Sequence, residues 1–447
     1  MGLTNRAAVA ATGYRRRALG RLVAGVALVN LMMAGASTMA TLVAVDAVGE
    51  AWSGLPNFAA VLGTAAGSLG LSARMSRRGR RAGLVLGYGL AAAGTLPAGA
   101  GAVLAAGSAP GAGLVLLAGG LFLVGAANAV AMLSRYAAAD LYPPERQGAI
   151  MGTVVWGGTA GALAGPALLP LTTHLASPPE VGPYALALLA LLGALVAVGG
   201  FPAADARHLS PAAAAGRRAA VRRLPSHRER PAPAPPSPHR DQVPRDQRGT
   251  STTRVALVSM VTGQVVMVAV MTMTPVHMHT HGQGLGAVSG VLTAHLAGMF
   301  ALAPLSGKLA DRIGGAATIQ AGLAVLVTAG VCTVLADPSA GFLLAAGLFL
   351  LGYGWNLTFV GGSALLAHRS TRLQGRVDAL VWAASGVAGL GAGPLLAGAG
   401  FGALVAIACA AVTLPAALLR NHARQLARQK RTYALRSPFE GQVHPSE

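Results

Sequence analysis

Three groups of side chains in this sequence have the types and spacing that chemistry requires. Pro275-Val276-His277-Met278-His279-Thr280-His281 places histidines at alternate positions, after Met267, Met271 and Met273. Such imidazoles could collect a transition metal, and the thioethers would suit Cu(I). No carboxylate accompanies them, so a neutral vestibule is the preferred reading, and neither a metal site nor a cofactor is expected. His295 is the only ionisable side chain near the middle of a long apolar run. With a reference pKa of about 6.5, an imidazole there changes charge across a physiological proton gradient. His295 is therefore the leading coupling candidate, with His277 a second member of a proton path and Asp46 and Glu50 secondary acceptors. The third group is uncharged: Asn30, Gln264 and Asn356, with Trp156, Trp355 and Trp382, all inside apolar runs. These side chains suit contact with a small molecule or hydrogen bonding between helices. Cys332 and Cys409 lack the paired spacing of a disulfide framework or metal site. No nucleotide-binding loop and no paired catalytic carboxylates occur, which argues against an enzyme and against an ATP-driven pump.

The elements that must position these residues are membrane helices. Of 447 residues, 53% are hydrophobic and 11% charged, against about 25% charged in a soluble domain. Apolar runs long enough to cross a bilayer occur twelve times: 22–45, 52–73, 82–105, 112–134, 149–170, 183–202, 255–275, 286–307, 316–336, 341–366, 377–399 and 401–419. Backbone groups in hydrocarbon must bond within their own segment, and no polar–apolar alternation marks barrel strands, so the runs are read as helices. Arg15-Arg16-Arg17 before an apolar run resembles a signal peptide. The run continues to Val45, so it is read as a retained first helix.

The net charge of +20 would suggest nucleic acid if it covered a folded surface. Instead all 34 Lys and Arg fall at the two ends or in even-numbered connections, among them Arg74, Arg77, Arg78, Arg80, Arg135, Arg146, Lys308, Arg312, Arg369, Arg372 and Arg376. By the positive-inside rule, that side and both termini are expected in the cytoplasm. Residues 203–253 are rich in Pro and Arg and read as a disordered linker. They separate a six-helix half, 1–202, from a second, 254–419, and 420–447 reads as a basic tail along the same surface. The halves are related. Gly120-Leu121-Phe122-Leu123-Val124-Gly125 matches Gly347-Leu348-Phe349-Leu350-Leu351-Gly352, and Gly161, Gly165 and Pro166 match Gly389, Gly393 and Pro394. Both halves start on the same side, so the repeats are parallel, with a site expected near the midplane between them.

Gly307-Lys308-Leu309-Ala310-Asp311-Arg312-Ile313-Gly314 resembles the cytoplasmic signature of the major facilitator superfamily, in the place it holds in that family's second half. The first-half copy keeps its basic end but has Ser76 where the acid would stand. In the family, the acid and the following Arg latch the halves at the cytoplasmic side. The resemblance therefore implies that Asp311 accepts from the start of helix five, with Arg312 beside it. For the weakened first copy, we expect Asp378 at the start of helix eleven to pair with Arg77 or Arg80. Gly161-x-x-x-Gly165-Pro166 resembles the helix-five motif of drug/proton antiporters. The helix-four Arg associated with coupling is absent, its place taken by Leu121.

The fold expected is therefore all-α, twelve transmembrane helices in two parallel-related halves, alternating access between them. The function expected is export of hydrophobic or amphipathic small molecules in exchange for protons by a monomer in the cell membrane. Uptake of a neutral metabolite, export of a metal complex, and a non-transporting membrane sensor remain alternatives.

Overall fold

The computed structural model describes residues 2–49, 54–201, 245–336 and 341–436, and among these there is no strand. The first half contains α1 (Gly2–Val48), α2 (Leu55–Arg78), α3 (Arg80–Ala106), α4 (Pro110–Ala139), α5 (Gln147–Trp156), α6 (Gly158–Leu175) and α7 (Val181–Gly199). The second contains α8 (Arg245–Thr280), α9 (Leu285–Phe300), α10 (Ala303–Ile313), α11 (Gly315–Leu335), α12 (Gly341–Leu366), α13 (Thr371–Ala411) and α14 (Thr413–Arg436).

Among the described residues nine stretches are long and apolar enough to cross a membrane, and a bent pair makes a tenth. That pair is span five, whose pieces Pro144–Gly165 and Ala167–Leu175 meet at 53°. The break falls at Pro166, where a proline removes one helical hydrogen bond; its side chain lies outside the described set. The stretch Thr371–Arg424 contains two spans, divided at Gly400, whose φ of 80° interrupts the helix. The remaining segment, α2, is 24 residues long, enough to cross, but its Gly, Ser and Arg content leaves it less apolar than the others. Together these give twelve membrane-length segments among the described residues. One boundary differs from expectation. Helix α8 begins at Arg245, inside the 203–253 segment read as linker; the rest of that segment, with Glu50 and Asp337, lies outside the described residues.

The sequence repeat reappears as equivalent packing. A Cβ on Gly125 of α4 would strike the backbone of Ala60 and Thr64 in α2, and one on Gly352 of α12 that of His295 and Met299 in α9. The final Gly of each signature copy also has one job in both halves. Gly79 (φ 84°, ψ 163°) turns α2 into α3, and Gly314 (φ 85°, ψ 154°) turns α10 into α11. Side chains are all but excluded from that backbone region, so the motif's glycine is a steric requirement of the turn.

Contacts between the halves concentrate at the end carrying the Arg-rich connections. There α5 packs on α10, and α2 on α13. Gly148 and Gly307 meet backbone to backbone, and Gly375 faces the side chain of Ser72. Toward the opposite end, Gly286, Gly290, Gly391 and Gly393 have open space where a side chain would stand. The halves are thus closed at the Arg-rich end, and toward the other α2 still meets α13, where Gly386 faces Phe58 and Val61.

Candidate functional site at the interface of the halves

The closed end is held by side chains that four helix termini bring together. The first turn of α5 has backbone N–H groups with no helical partner, at the positive end of the helix dipole. Asp311, in the last turn of α10, accepts from two of them, Gly148 N at 2.7 Å and Ala149 N at 2.8 Å. Arg312 beside it is exposed. The related position in the first half, Ser76, instead accepts from Arg372 Nε at 3.0 Å.

Asp378 pairs with neither Arg77 nor Arg80, contrary to the expectation from sequence. Its partner is Arg135, in the last turns of α4, at 2.6 Å, with both side chains only 1% exposed. Arg77 is exposed. Arg80 is taken up by Asp140 at 2.9 Å and by Gln374 across the interface at 3.1 Å. The physical reason is depth. Asp378 lies two turns into α13, where the long side chain from α4 reaches it and residues at the end of α2 do not. Arg135 is also fixed by Ser363 Oγ at 2.8 Å, by the Tyr136 hydroxyl at 3.1 Å and by the Met132 carbonyl. Its guanidinium lies 4.3 Å from the Tyr136 ring centre and 4.2 Å from that of Phe359. Such faces attract a cation. The second oxygen of Asp378, Oδ2, is buried and accepts no hydrogen bond.

From this pair an aromatic column runs toward mid-depth. Phe359 stacks on Trp355 with centroids 4.9 Å apart, and Trp355 meets the edge of Phe300 at 6.3 Å. Trp355 Nε1 donates to Gln264 Oε1 at 2.7 Å, and Gln264 Nε2 donates to Ser385 at 3.2 Å. Gln264 thus ties α8 to α12 and α13, all within the second half. Asn356 does the same between α12 and α9, donating to the Met299 carbonyl at 2.7 Å. His295 is fully buried, its Nδ1 2.9 Å from the Leu348 carbonyl, while Nε2 has no partner. It too bridges α9 and α12 inside one half.

Asn30 is placed differently. Half-buried on α1, it bonds to the Val26 carbonyl at 3.0 Å. A methyl group on Gly158 would lie 2.9 Å from Asn30 Nδ2 and 3.5 Å from the Phe300 ring. At Gly158, then, a polar side chain of the first half meets the aromatic column of the second. Trp382 is half-buried on α13 and Trp156 is 48% exposed. Gly161 and Gly165 pack α6 against α1, where side chains would strike the backbone of Ala27 and Leu31. Their counterparts Gly389 and Gly393 make no such close contact. The ring of His277 stacks on Phe401 at 4.2 Å and lies 4.4 Å from His281, and Asp46 is exposed. Among the described residues no group of three His, Cys, Asp or Glu is arranged to hold a metal.

The residue that sequence reasoning missed is Arg135. It stands at the edge of an apolar run and was counted with the connection. Its one visible signal was the run Arg135-Tyr136, a guanidinium followed by an aromatic ring.

Two repeated six-helix bundles, latched at one end and meeting over a polar and aromatic seam, define a multi-pass membrane carrier. The profile described as Major Facilitator Superfamily matches residues 18–394, and the chain belongs to that family, whose members are transporters of small molecules. It is 31% identical over 395 residues to the MFS-type transporter YdeG of Bacillus subtilis (strain 168), covering 83% of this chain and 84% of that one. Two solved structures share the fold. The human organic anion transporter MFSD10 aligns with a TM-score of 0.63 at 20% identity, over 91% of this chain and 99% of that one. FucP of E. coli, in the outward conformation, aligns with a TM-score of 0.64 at 14% identity, over 90% and 98%.

Proposed function

We propose that this transporter exports uncharged or weakly charged amphipathic molecules in exchange for protons, by rocking residues 1–202 against 254–419. The observation that carries this reading is the chemistry of the seam. At mid-depth it offers Asn30 and Phe300, with Trp355 against Phe300, and the one fully buried ion pair among the described residues, Arg135–Asp378, is closed on itself at the latch. An ionic substrate would call for an unpaired charge at mid-depth, which is costly in a membrane. By the positive-inside rule we read the latched side and both termini as cytoplasmic, and on that reading a conformation closed at this end is outward-facing. In this reading 203–253 is a tether, 420–447 a surface tail, and the unit is a monomer.

Coupling falls more naturally to Asp378 than to His295. His295 sits between α9 and α12, which belong to one half and move together, so rocking leaves its surroundings unchanged. Asp378 sits where the halves separate. A proton on Asp378 removes its attraction to Arg135 and releases the latch; opening then hydrates the carboxyl, which gives up the proton on that side. The test is efflux of a panel of lipophilic dyes from proteoliposomes under an imposed pH gradient. Gradient-driven movement in wild type that becomes gradient-independent in Asp378→Asn is the expected result. No movement of any dye under either gradient direction would refute the export reading.

A further inference from the structure

Arg74, Arg77 and Arg78 are used neither by the latch nor by the seam. Among the described residues the ion pairs are Arg80–Asp140 and Arg135–Asp378, which leaves these three guanidinium groups without a carboxylate. Arg74 Nε is buried and has no hydrogen-bond partner. All three stand at the mouth of a furrow of about 560 Å³ between α2 and α3, floored by α4. The furrow runs along α2 from Gly63 to Arg78, which at 1.5 Å per residue is about 22 Å. Its walls are apolar, and Leu90 and Phe122 within it are 39% and 41% exposed. It opens away from the partner half. Ser68 and Ser72 lie on the face of α2 turned toward α13, whereas Ala66 and Gly70 lie on the other face and are exposed.

We propose that this furrow binds one anionic glycerophospholipid of the leaflet on the Arg-rich side. The pairing is one of charge and shape. Three unpaired guanidinium groups at the depth of the headgroups suit a phosphate diester, to which Arg donates in a fixed fork. Below them, an apolar channel more than half as long as the ~30 Å hydrocarbon core takes an acyl chain lying along α2. A zwitterionic lipid brings its own cation to the mouth and loses this preference. A bound lipid would also rest on α2, whose end carries the inter-half contacts Ser76–Arg372 and, just past the turn, Arg80–Gln374.

Native mass spectrometry of the full-length protein tests this, with phosphatidylglycerol and phosphatidylcholine added at equal concentration. Wild type is expected to retain one phosphatidylglycerol at collision energies that strip phosphatidylcholine, a preference of tenfold or more. The variant R74Q/R77Q/R78Q is expected to lose the preference. Gly70→Leu is expected to reduce retention while keeping every charge; a Cβ there meets nothing within 4 Å, so the change fits the fold and fills only the furrow. Equal retention of both lipids by wild type overturns the proposal. So does unchanged retention in Gly70→Leu, or retention of the lipid abolished by millimolar inorganic phosphate, which would reduce the site to a headgroup-sized anion patch.

Discussion

Replacing Asp378 with Asn removes one charge from the interface at nearly constant volume, and its effect can be worked from the geometry. The pair is 2.6 Å long and both members are 1% exposed. Removing one partner of a buried pair costs about 3–5 kcal/mol, because the other charge is left uncompensated. Here the stranded Arg135 keeps Ser363, Tyr136, the Met132 carbonyl and two ring faces, and Asn still offers a carbonyl oxygen. The lower limit, about 3 kcal/mol, is the better figure. At about 1.4 kcal/mol per tenfold, the ratio of closed to open at the Arg-rich end falls on the order of a hundredfold. An ensemble closed about 99:1 would approach parity. The assay is electron–electron distance measurement between spin labels at the exposed positions Glu145 in the first half and His368 in the second. Cys332 and Cys409 are first replaced by Ser to leave the labels unique. Wild type should give mainly the short distance, and Asp378→Asn a second, longer population of comparable weight. The paired change Arg135→Met with Asp378→Leu should restore the short distance, since apolar residues of similar volume replace a buried ion pair at little cost. An unchanged distribution in Asp378→Asn would refute the latch and, with it, the coupling role.

Three further outcomes follow from the same geometry. Asp311→Ala strands two N–H donors at the start of α5, at about 1.5–3 kcal/mol for each charge-assisted bond; a lower melting temperature and a larger long-distance population are expected. Gly161→Leu forces a side chain into the backbone of α1, an overpacking cost of roughly 1–3 kcal/mol or more. Gly393→Ala, in open space, should melt like wild type. His295→Gln should lower the melting temperature through the lost contact with Leu348 yet leave the pH dependence of transport intact; a flattened pH profile would return coupling to His295.

The scaffold was legible because membrane physics writes it locally. Length of apolar run, sidedness of Arg and Lys, and the matched glycines of spans four and ten each depend on a short window of sequence. Asp311 was legible for a similar reason, since its partner is the start of a helix and the motif fixes its distance from Gly314. Asp378 was recognised as an interface acid but given the wrong partner. A helix-end Arg looks the same in sequence whether it faces water or lies between two bundles, and only the crossing of α4 past α13 decides which. The mid-depth amides were ambiguous in principle. Gln264 and Asn356 are spent on contacts within one half and Asn30 faces the seam, a difference of helix rotation that hydropathy does not record.

The degraded first signature now has a physical reading. In the second half the acid Asp311 caps α5 from a half-buried position, a contact between a charge and a helix dipole. In the first half the corresponding Ser76 is exposed and uncharged, and the ionic contact with α13 is made deeper by Arg135. The two latches are therefore built differently. One rests on a carboxylate that accepts from two backbone donors at a helix start. The other rests on a buried carboxylate with one oxygen unpartnered, paired with a single guanidinium of the opposite half. An exchanger needs a closure that a proton can release and that no second ionic contact to the same helix duplicates. On the coupling proposed here, the loss of the acid at Ser76 leaves α13 held by one ionic contact, and restoring the acid with Ser76→Asp should return Asp378→Asn to mainly the short distance.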